Sequence, residues 1–156
     1  MAFERAKEYL KRYGLEDRVM EFDVSSATVA EAAKAIGCEE EEIAKSLSFM
    51  VAEKPILIVA AGTSKVDNSK FKAEFHTKAK MLSFDEVENL IGHAVGGVCP
   101  FGVQENVEVY LDSSLKKLET VYPACGSANS AVKLTVGELE QASGYKKWVD
   151  VCKDSQ

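Results

Sequence analysis

The sequence predicts an α+β fold with a mixed or largely antiparallel sheet. Short helices and short strands follow one another at irregular spacing and are joined by tight turns, unlike the regular repeat of a parallel βαβ sheet. The chain has 156 residues, of which 46% are hydrophobic and 28% charged. That is enough apolar surface for one core without disulfides, so we expect a single domain over residues 1–156.

Helix ends are the clearest local signals. A stripe of apolar residues from Phe3 to Tyr13 predicts an amphipathic helix over residues 2–13, and a second helix is expected over the glutamate-rich residues 39–46. Three other helices should begin with capping boxes and end at glycines. The boxes are Thr28 with Glu31, Ser83 with Glu86 and Thr135 with Glu138, and the glycines are Gly37, Gly92 and Gly144.

Strands are expected where apolar runs lie between turn residues. The segment Glu53-Lys54-Pro55 reads as the turn of a hairpin. The predicted strands cover residues 18–22, 47–52, 56–60, 79–82, 107–111, 120–123 and 131–134.

Several classes of protein are disfavoured. The N-terminus has a helical pattern with charged residues instead of an apolar signal core, and no stretch approaches the length of a membrane span, so we expect a cytoplasmic protein without a membrane partner. The cysteines form no C-x-x-C pair and have no histidine at ligand spacing, which favours reduced thiols over a metal site or a disulfide framework. They are Cys38, Cys99, Cys125 and Cys152.

The most informative segment is a glycine-rich loop, Gly96-Gly97-Val98-Cys99-Pro100-Phe101-Gly102, which follows a helix end at Gly92-His93. Glycine permits backbone conformations closed to other residues, while Pro100 fixes its own φ and restricts Cys99. Such a loop can aim several amide N–H groups at one point and hold an anion or a developing oxyanion. The alternative is an ordinary turn between a helix and a strand.

Three separated segments, read in order, resemble the YbaK family of aminoacyl-tRNA deacylases, which is related to the editing domain of bacterial prolyl-tRNA synthetases. They are a lysine after a short helix, Lys45, a G-x-x-x-P loop from Gly96 to Pro100, and a Gly-Ser turn at Gly126-Ser127. The resemblance covers nearly the whole chain. It implies a strongly curved sheet approaching a barrel, with helices outside. We expect deacylation without metal or cofactor, because an activated ester needs positioning and charge stabilisation more than a strong nucleophile.

The resemblance also implies roles for residues. Lys45 matches the family's essential lysine; an ammonium is protonated at neutral pH and suits anchoring a phosphate or polarising an ester better than acting as a base. Without the resemblance, Lys45 would be read as a surface pair with Glu41. The catalytic candidates are Lys45, Gly96, Gly97, Val98, Cys99 and Pro100, and the substrate-binding candidates are His93, Phe101, Gly102, Gly126 and Ser127.

Within this set, the amides of Gly97, Val98 and Cys99 would hold the ester carbonyl, and Gly126 with Ser127 would border the amino-acid pocket. A nucleophilic Cys99 is the weaker alternative because no histidine is known to lie beside it. His93 could instead cap the helix or contact the loop, and His76 lies in a basic stretch.

The charge balance bears on the partner. The formal net charge is −6, yet lysines concentrate between residues 65 and 80, where they could guide the acceptor end of a tRNA or simply be solvated. They are Lys65, Lys70, Lys72, Lys78 and Lys80. We expect hydrolysis of a mischarged tRNA carrying a small amino acid, with an aminoacyl-tRNA synthetase as a further partner. The alternatives are a non-catalytic binding module and a different acyl-ester or thiol-dependent hydrolase.

Overall fold

The computed structural model describes residues 2–154, so the first and the last two positions of the expected domain lie outside the described residues. The helices are α1 (Ala2–Lys11), α2 (Val29–Ile36), α3 (Asn68–Phe75), α4 (Phe84–Glu86) and α5 (Val136–Ser143). Helix α4 continues as one π-helical turn, Val87–Ile91. The strands are β1 (Val19–Glu21), β2 (Ile43–Val51), β3 (Lys54–Ala61), β4 (Ser64–Val66), β5 (Glu108–Asp112), β6 (Thr120–Pro123), β7 (Ser130–Val132), β8 (Leu134–Thr135), β9 (Lys147–Val149) and β10 (Cys152–Asp154).

A six-stranded mixed sheet forms the centre of the fold, in the order β8-β6-β2-β3-β5-β9. Strands β2 and β3 make an antiparallel hairpin, while β5 runs parallel to β3 and β9 parallel to β5. Two-stranded ribbons, β1 with β7 and β4 with β10, complete the pairing. The sheet curls into a half-barrel with the short helices against it, which confirms the predicted fold class.

Alternation along the strands divides the core between the two sheet faces. Leu57, Val59 and Leu111 pack on the face that α1 and α5 cover. Ile56 and Ile58 point to the opposite face, where they pack with Phe71 of α3. The loop of residues 92–102 belongs to the first face, because Cys99 and Phe101 are fully buried in that cluster.

The predicted helix ends are confirmed. Thr28, Ser83 and Thr135 each accept a hydrogen bond from the backbone N–H three residues later, and the glutamate at that position returns the bond in all three boxes. The three predicted terminal glycines are left-handed, as the geometry of a helix C-terminus requires. The first helix ends at Lys11, two residues earlier than predicted.

Other predictions were wrong. Residues 39–46 are not a helix, because only Glu40–Glu42 form a 3-10 turn and β2 already begins at Ile43. Residues 79–82 contribute a single bridge from Met81 to Phe49, not a strand. The hairpin turn lies at Ala52 and Glu53, both at positive φ, one position before the predicted one. Strands β4, β9 and β10 were not predicted.

Candidate active site

The glycine-rich loop is tied to its surroundings by backbone carbonyls. The Arg5 guanidinium on α1 donates from Nε to the Gly102 carbonyl oxygen at 3.0 Å and from its NH2 group to the Gly92 carbonyl oxygen. His93 is fully buried, and its Nε2 lies 2.7 Å from the Phe101 carbonyl oxygen. Both side chains therefore hold the two ends of the loop of residues 92–102 together.

The Gly-Ser turn at residues 126 and 127 backs the loop at van der Waals contact. The Gly126 N–H donates to the Gly97 carbonyl oxygen at 3.0 Å, and a Cβ placed on Gly97 would stand 2.5 Å from the Ser127 nitrogen. Only glycine fits at this point. The turn is therefore a support behind the loop.

A cavity of about 330 Å³ opens beside the loop. Gly96 and Val98 of the loop line it, together with residues of β2, α2 and the segment around Ser130. Alanine, glycine and serine supply close to half of the lining, which leaves the space open because their side chains are short.

Strand β2 forms one wall with part of its edge unpaired. The Met50 N–H donates to the Lys80 carbonyl and the Ser48 carbonyl accepts from Leu82, so the even-numbered residues direct their backbone groups toward this edge. Strand β6 covers the same edge only at Ile43 and Ala44. The backbone N–H and C=O of Ser46 consequently face the gap between the two contacts.

Ser46 also has an unsatisfied side chain. Its hydroxyl oxygen is buried, and no partner for it exists within residues 2–154. Such a group costs about 1–3 kcal/mol unless something bonds to it. The Ser46 hydroxyl and the free backbone groups together make a polar patch in a wall that is otherwise mainly apolar.

Lys45 precedes this patch and is half-buried. Its ammonium donates to the Gly62 carbonyl oxygen at 3.2 Å and to the Ser64 carbonyl oxygen. Burial lowers the pKa of Lys45 below its ordinary value, with the nearby Lys65 charge acting in the same direction and Cys152 opposing it. Glu41, the surface partner considered above, lies 3.7 Å from Lys117 instead.

The Cys99 thiol and the His93 ring are neighbours but do not form a nucleophile and a base. Sγ lies 3.5 Å from Nε2, the nitrogen that must carry the proton because the Phe101 carbonyl can only accept. The lone pair is on Nδ1, which has no partner among the described residues. Burial lowers the pKa of His93 and strongly raises the pKa of Cys99, so both groups stay neutral.

The structure brings together only part of the predicted site. Lys45, Gly96 and Val98 line the cavity. The Gly97 N–H donates to the Ala94 carbonyl at 3.0 Å, so its expected role as an oxyanion donor stays a prediction that would require this bond to break. The remaining predicted residues lie outside the cavity lining, and the buried His93 contacts the loop at the Phe101 carbonyl; their catalytic and binding roles stay predictions. They are His93, Cys99, Pro100, Phe101, Gly102, Gly126 and Ser127.

Sequence reasoning missed several lining residues. Ser46 and Ser48 carried a signal, because small polar residues alternate there with Leu47 and Phe49. Ser130 also lines the cavity, and its hydroxyl donates to Ser127 Oγ at 2.6 Å, since Ser127 itself donates to the Asn129 side-chain oxygen. The unpredicted lining also includes three exposed large apolar residues at the mouth: Met81, Phe84 and Val95.

Three properties of the described chain bear on the membrane, metal and charge expectations. No helix within residues 2–154 has both the length and the apolarity to cross a membrane. Over the same residues, no three His, Cys, Asp or Glu side chains are grouped so that they could hold a metal ion. Of the predicted basic strip, Lys70 pairs with Asp150 at 3.1 Å, and Lys65, Lys72, Lys78 and Lys80 are exposed.

Comparison with known proteins identifies the class of this enzyme. The family model of the aminoacyl-tRNA editing domain matches residues 23–142, which include Lys45, the loop and the Gly-Ser turn. Fold and match together define an aminoacyl-tRNA deacylase. The chain belongs to the aminoacyl-tRNA editing domain family, so the resemblance to YbaK-type deacylases is confirmed.

Individual relatives agree with this assignment. The uncharacterized protein YwhH of Bacillus subtilis (strain 168) is 51% identical over 155 residues, covering 99% of each chain. The proline–tRNA ligase of Shouchella clausii (strain KSM-K16) is 29% identical over 123 residues, which are 76% of this chain but 21% of the ligase. The present chain thus corresponds to about a fifth of such a ligase.

Solved structures share the whole fold. A protein provisionally assigned as a trans-editing enzyme for prolyl-tRNA synthetase superposes with a TM-score of 0.87 at 29% identity, covering 97% of both chains. The hypothetical protein APE2540 superposes with a TM-score of 0.85 at 29% identity, covering 96% of this chain and 99% of its own.

Proposed function

We propose that this protein edits tRNA in trans, hydrolysing the ester between a small amino acid and the terminal ribose of a mischarged tRNA. The cavity carries this proposal, because short side chains line it beside a loop with free backbone amides. Pockets distinguish neighbouring small amino acids by only about 1–3 kcal/mol, which is the error that editing corrects. Alanine, serine, cysteine and threonine are the substrates to test.

The Val98 amide is the proposed oxyanion donor. Val98 lines the cavity, and its N–H has no acceptor within the described chain, in contrast to the Gly97 N–H. The ester carbonyl would accept this bond more strongly as it becomes a tetrahedral oxyanion, and one such donor is typically worth about 3–4 kcal/mol of barrier. Gly96 stands at φ +94° beside it, which shapes the approach to the loop.

Lys45 would fix the substrate through its remaining proton. Two of the three ammonium N–H groups are used by the Gly62 and Ser64 carbonyls, which leaves one for a ribose or phosphate oxygen of the terminal nucleotide. Its positive charge excludes a base role as long as it is protonated. The attacking group would be water or a substrate group, because Cys99 is buried with a raised pKa.

The partners follow from this reaction. The acceptor end of a mischarged tRNA is the substrate, and an aminoacyl-tRNA synthetase is the expected source of it, in the cytoplasm where tRNA is charged. Residues 1–156 would act as one editing domain without a cofactor. The proline–tRNA ligase described above supports a role as one editing domain, since the present chain matches about a fifth of that ligase.

The test measures deacylation of a panel of purified mischarged tRNAs. We expect hydrolysis of one or more small aminoacyl esters and little of leucyl or phenylalanyl esters. Replacing Val98 by its α-hydroxy analogue removes the amide N–H and should slow hydrolysis by about a hundredfold. The exchange also weakens the Gly97 carbonyl as acceptor for the Gly126 N–H, so the control is the same exchange at Val103, outside the cavity, which weakens the Gly102 carbonyl that Arg5 binds and should leave the rate nearly unchanged.

The alternatives give different results. Binding of aminoacyl-tRNA without release of any amino acid would indicate a non-catalytic module. Hydrolysis of simple acyl esters or thioesters, with tRNA esters untouched, would indicate a different hydrolase. An unchanged rate in the Val98 analogue would remove the backbone donor from the mechanism.

A further inference from the structure

The mouth of the cavity is unusually apolar. In the described part of the chain, five large apolar side chains are exposed, and three of them stand at this mouth. Phe84 is 76% exposed, Met81 59% and Val95 44%. Exposed apolar side chains that lie together mark an interaction surface, whereas single exposed ones are ordinary. We call these three residues the apolar rim.

The backbone under the rim is fixed although the side chains are free. Phe84 is the first residue of α4, whose start is fixed by a capping box. The Ser83 N–H donates to Glu86 Oε1 at 2.8 Å, and the Glu86 N–H donates to Ser83 Oγ at 3.3 Å. Met81 is held by its bridge to Phe49 in β2. Val95 lies in the turn that the Gly97 N–H closes on the Ala94 carbonyl. A partner would therefore meet a preformed surface.

Charges on the two sides of the rim differ. Lys78 and Lys80 are exposed in the segment that leads to Met81. Beyond Phe84, Asp85 and Glu88 line a neighbouring depression that also includes Val95. A phosphate chain would be attracted on the lysine side and repelled on the acidic side, so the surface fits a strand that ends at the rim.

We propose that the apolar rim is a stacking platform for the unpaired 3′-terminal nucleoside of an RNA, with the Phe84 ring against the base. This proposal rests on the proposed function, since the terminal ribose carries the ester that must enter the cavity. The terminal nucleoside has no 3′ phosphate, which agrees with the acidic side. Aromatic stacking tolerates any base and holds it without reading sequence.

The experiment uses uncharged RNA, so that it does not depend on catalysis. A fluorescent hairpin RNA with an unpaired 3′ CCA end is compared with the same RNA lacking its terminal base, by anisotropy. The proteins are wild type, Phe84→Ala, Phe84→Trp and the control Val24→Ala, whose side chain is 60% exposed but outside the cavity lining. Thermal melting checks that each variant is folded.

We expect Phe84→Ala to weaken binding of the intact RNA about tenfold, and loss of the base to weaken wild-type binding equally. The two losses should not add when combined, because they remove the same contact. Phe84→Trp and Val24→Ala should bind as wild type does. Independent losses, or a wild type that does not distinguish the two RNAs, would overturn the platform.

Two further outcomes separate the proposals. If the protein hydrolyses mischarged tRNA but shows no coupling between Phe84 and the terminal base, the platform is wrong and the proposed function stands. If Phe84 and the terminal base are coupled but no ester is hydrolysed, the platform stands and the proposed function is wrong. Unchanged RNA binding with self-association that Phe84→Ala abolishes, measured by sedimentation, would assign the rim to a second copy of the chain and overturn the proposal.

Discussion

At the scale of single residues, the site depends on how Lys45 and Cys99 are surrounded. Lys45 donates to two backbone carbonyls, and Cys99 is sealed in the core beside a histidine whose proton is already committed. The resemblance to the YbaK family singled out the first residue for its role. The sequence could not reveal that the side chain of the second is fully buried.

Lys45→Met should abolish deacylation and also change how stability depends on pH. Because the pKa of Lys45 is lowered in the folded protein, the unfolded chain binds more protons between that lowered pKa and 10.5. The free energy of unfolding of the wild type should therefore rise relative to Lys45→Met as pH increases through this window. Denaturant titrations at several alkaline pH values measure the difference. A parallel pH dependence in both proteins would mean that Lys45 is solvated.

Cys99→Ala should keep at least about a tenth of the activity, because the backbone N–H remains and the thiol is neutral and buried. Its stability should fall by about 1 kcal/mol through lost burial. Single-turnover deacylation and urea unfolding measure both quantities. A folded but inactive variant, together with an acyl-enzyme trapped on the wild type by mass spectrometry, would establish covalent catalysis instead.

At the scale of elements, the loop and the Gly-Ser turn act as one unit. Close contact between them leaves no space for a side chain at Gly97, and the Gly126 N–H bonds across the gap. Arg5 adds a connection from α1 to both ends of the same loop. Catalytic geometry should thus respond to changes that touch no substrate.

Gly97→Ala should lower the deacylation rate at saturating substrate by about a hundredfold, because its Cβ would stand 2.5 Å from the Ser127 nitrogen and force the loop away. Binding of uncharged tRNA should change little. Gly137→Ala in α5 is the matched control; its Cβ would meet only Thr135 Oγ1, at 3.8 Å, and should stabilise the helix by about 0.4–1 kcal/mol. Equal losses of rate and affinity would show that the loop only holds the nucleotide.

Local chemistry decided which elements the sequence could predict. The capping boxes succeed because both partners lie within four residues, so no tertiary information is needed. The prediction for residues 39–46 fails because the glutamates favour a helix, while pairing with β6 at Ile43 and with β3 from Ala44 onward forces this segment into a strand. Strands β4 and β10 are only three residues long and are defined by each other, so neither shows a pattern alone.

The candidate site divides in the same way. Glycine and proline in the loop announce an unusual backbone, so its importance could be predicted from composition. The sequence could not predict which amide N–H groups remain free, because the Gly97 N–H is bonded to the Ala94 carbonyl within its own turn. The alternation of Ser46 and Ser48 with apolar residues could be read from the sequence, but the uncovered edge of β2 at Ser46 follows only from where β6 and Met81 pair.

At the scale of the whole molecule, several carboxylates of this acidic protein stabilise the fold through hydrogen bonds and ion pairs with nearby groups. The Arg18 guanidinium donates two hydrogen bonds to the Glu138 carboxylate, at 2.8 Å and 2.9 Å, and this ion pair lowers the pKa of Glu138. The Tyr110 hydroxyl and Lys146 lower the pKa of Glu108, and the Ser83 backbone and hydroxyl lower the pKa of Glu86. These groups lie on different elements of the fold.

The protein should therefore lose stability in acid. A carboxylate with a lowered folded-state pKa stabilises the protein above the unfolded value of 4.5, and this stabilisation is lost as pH falls through the folded value. The melting temperature should drop as pH falls below about 5 and through the lowered folded-state pKa values, and drop less in Glu138→Gln. The control Glu105→Gln, on an exposed loop, should follow the wild type. Identical acid profiles for all three would exclude Glu138 as a contributor.

The partners of Lys45 have a consequence for the bound complex. Two carbonyl dipoles satisfy the ammonium geometrically, but a dipole cancels no net charge, and no carboxylate pairs with Lys45 within residues 2–154. A unit charge therefore stays without a counterion inside a half-buried pocket. Near a protein surface, an anion about 4 Å away would gain about 4 kcal/mol of Coulomb energy before desolvation. The incoming tRNA phosphate would then be the missing half of an ion pair that the fold leaves open.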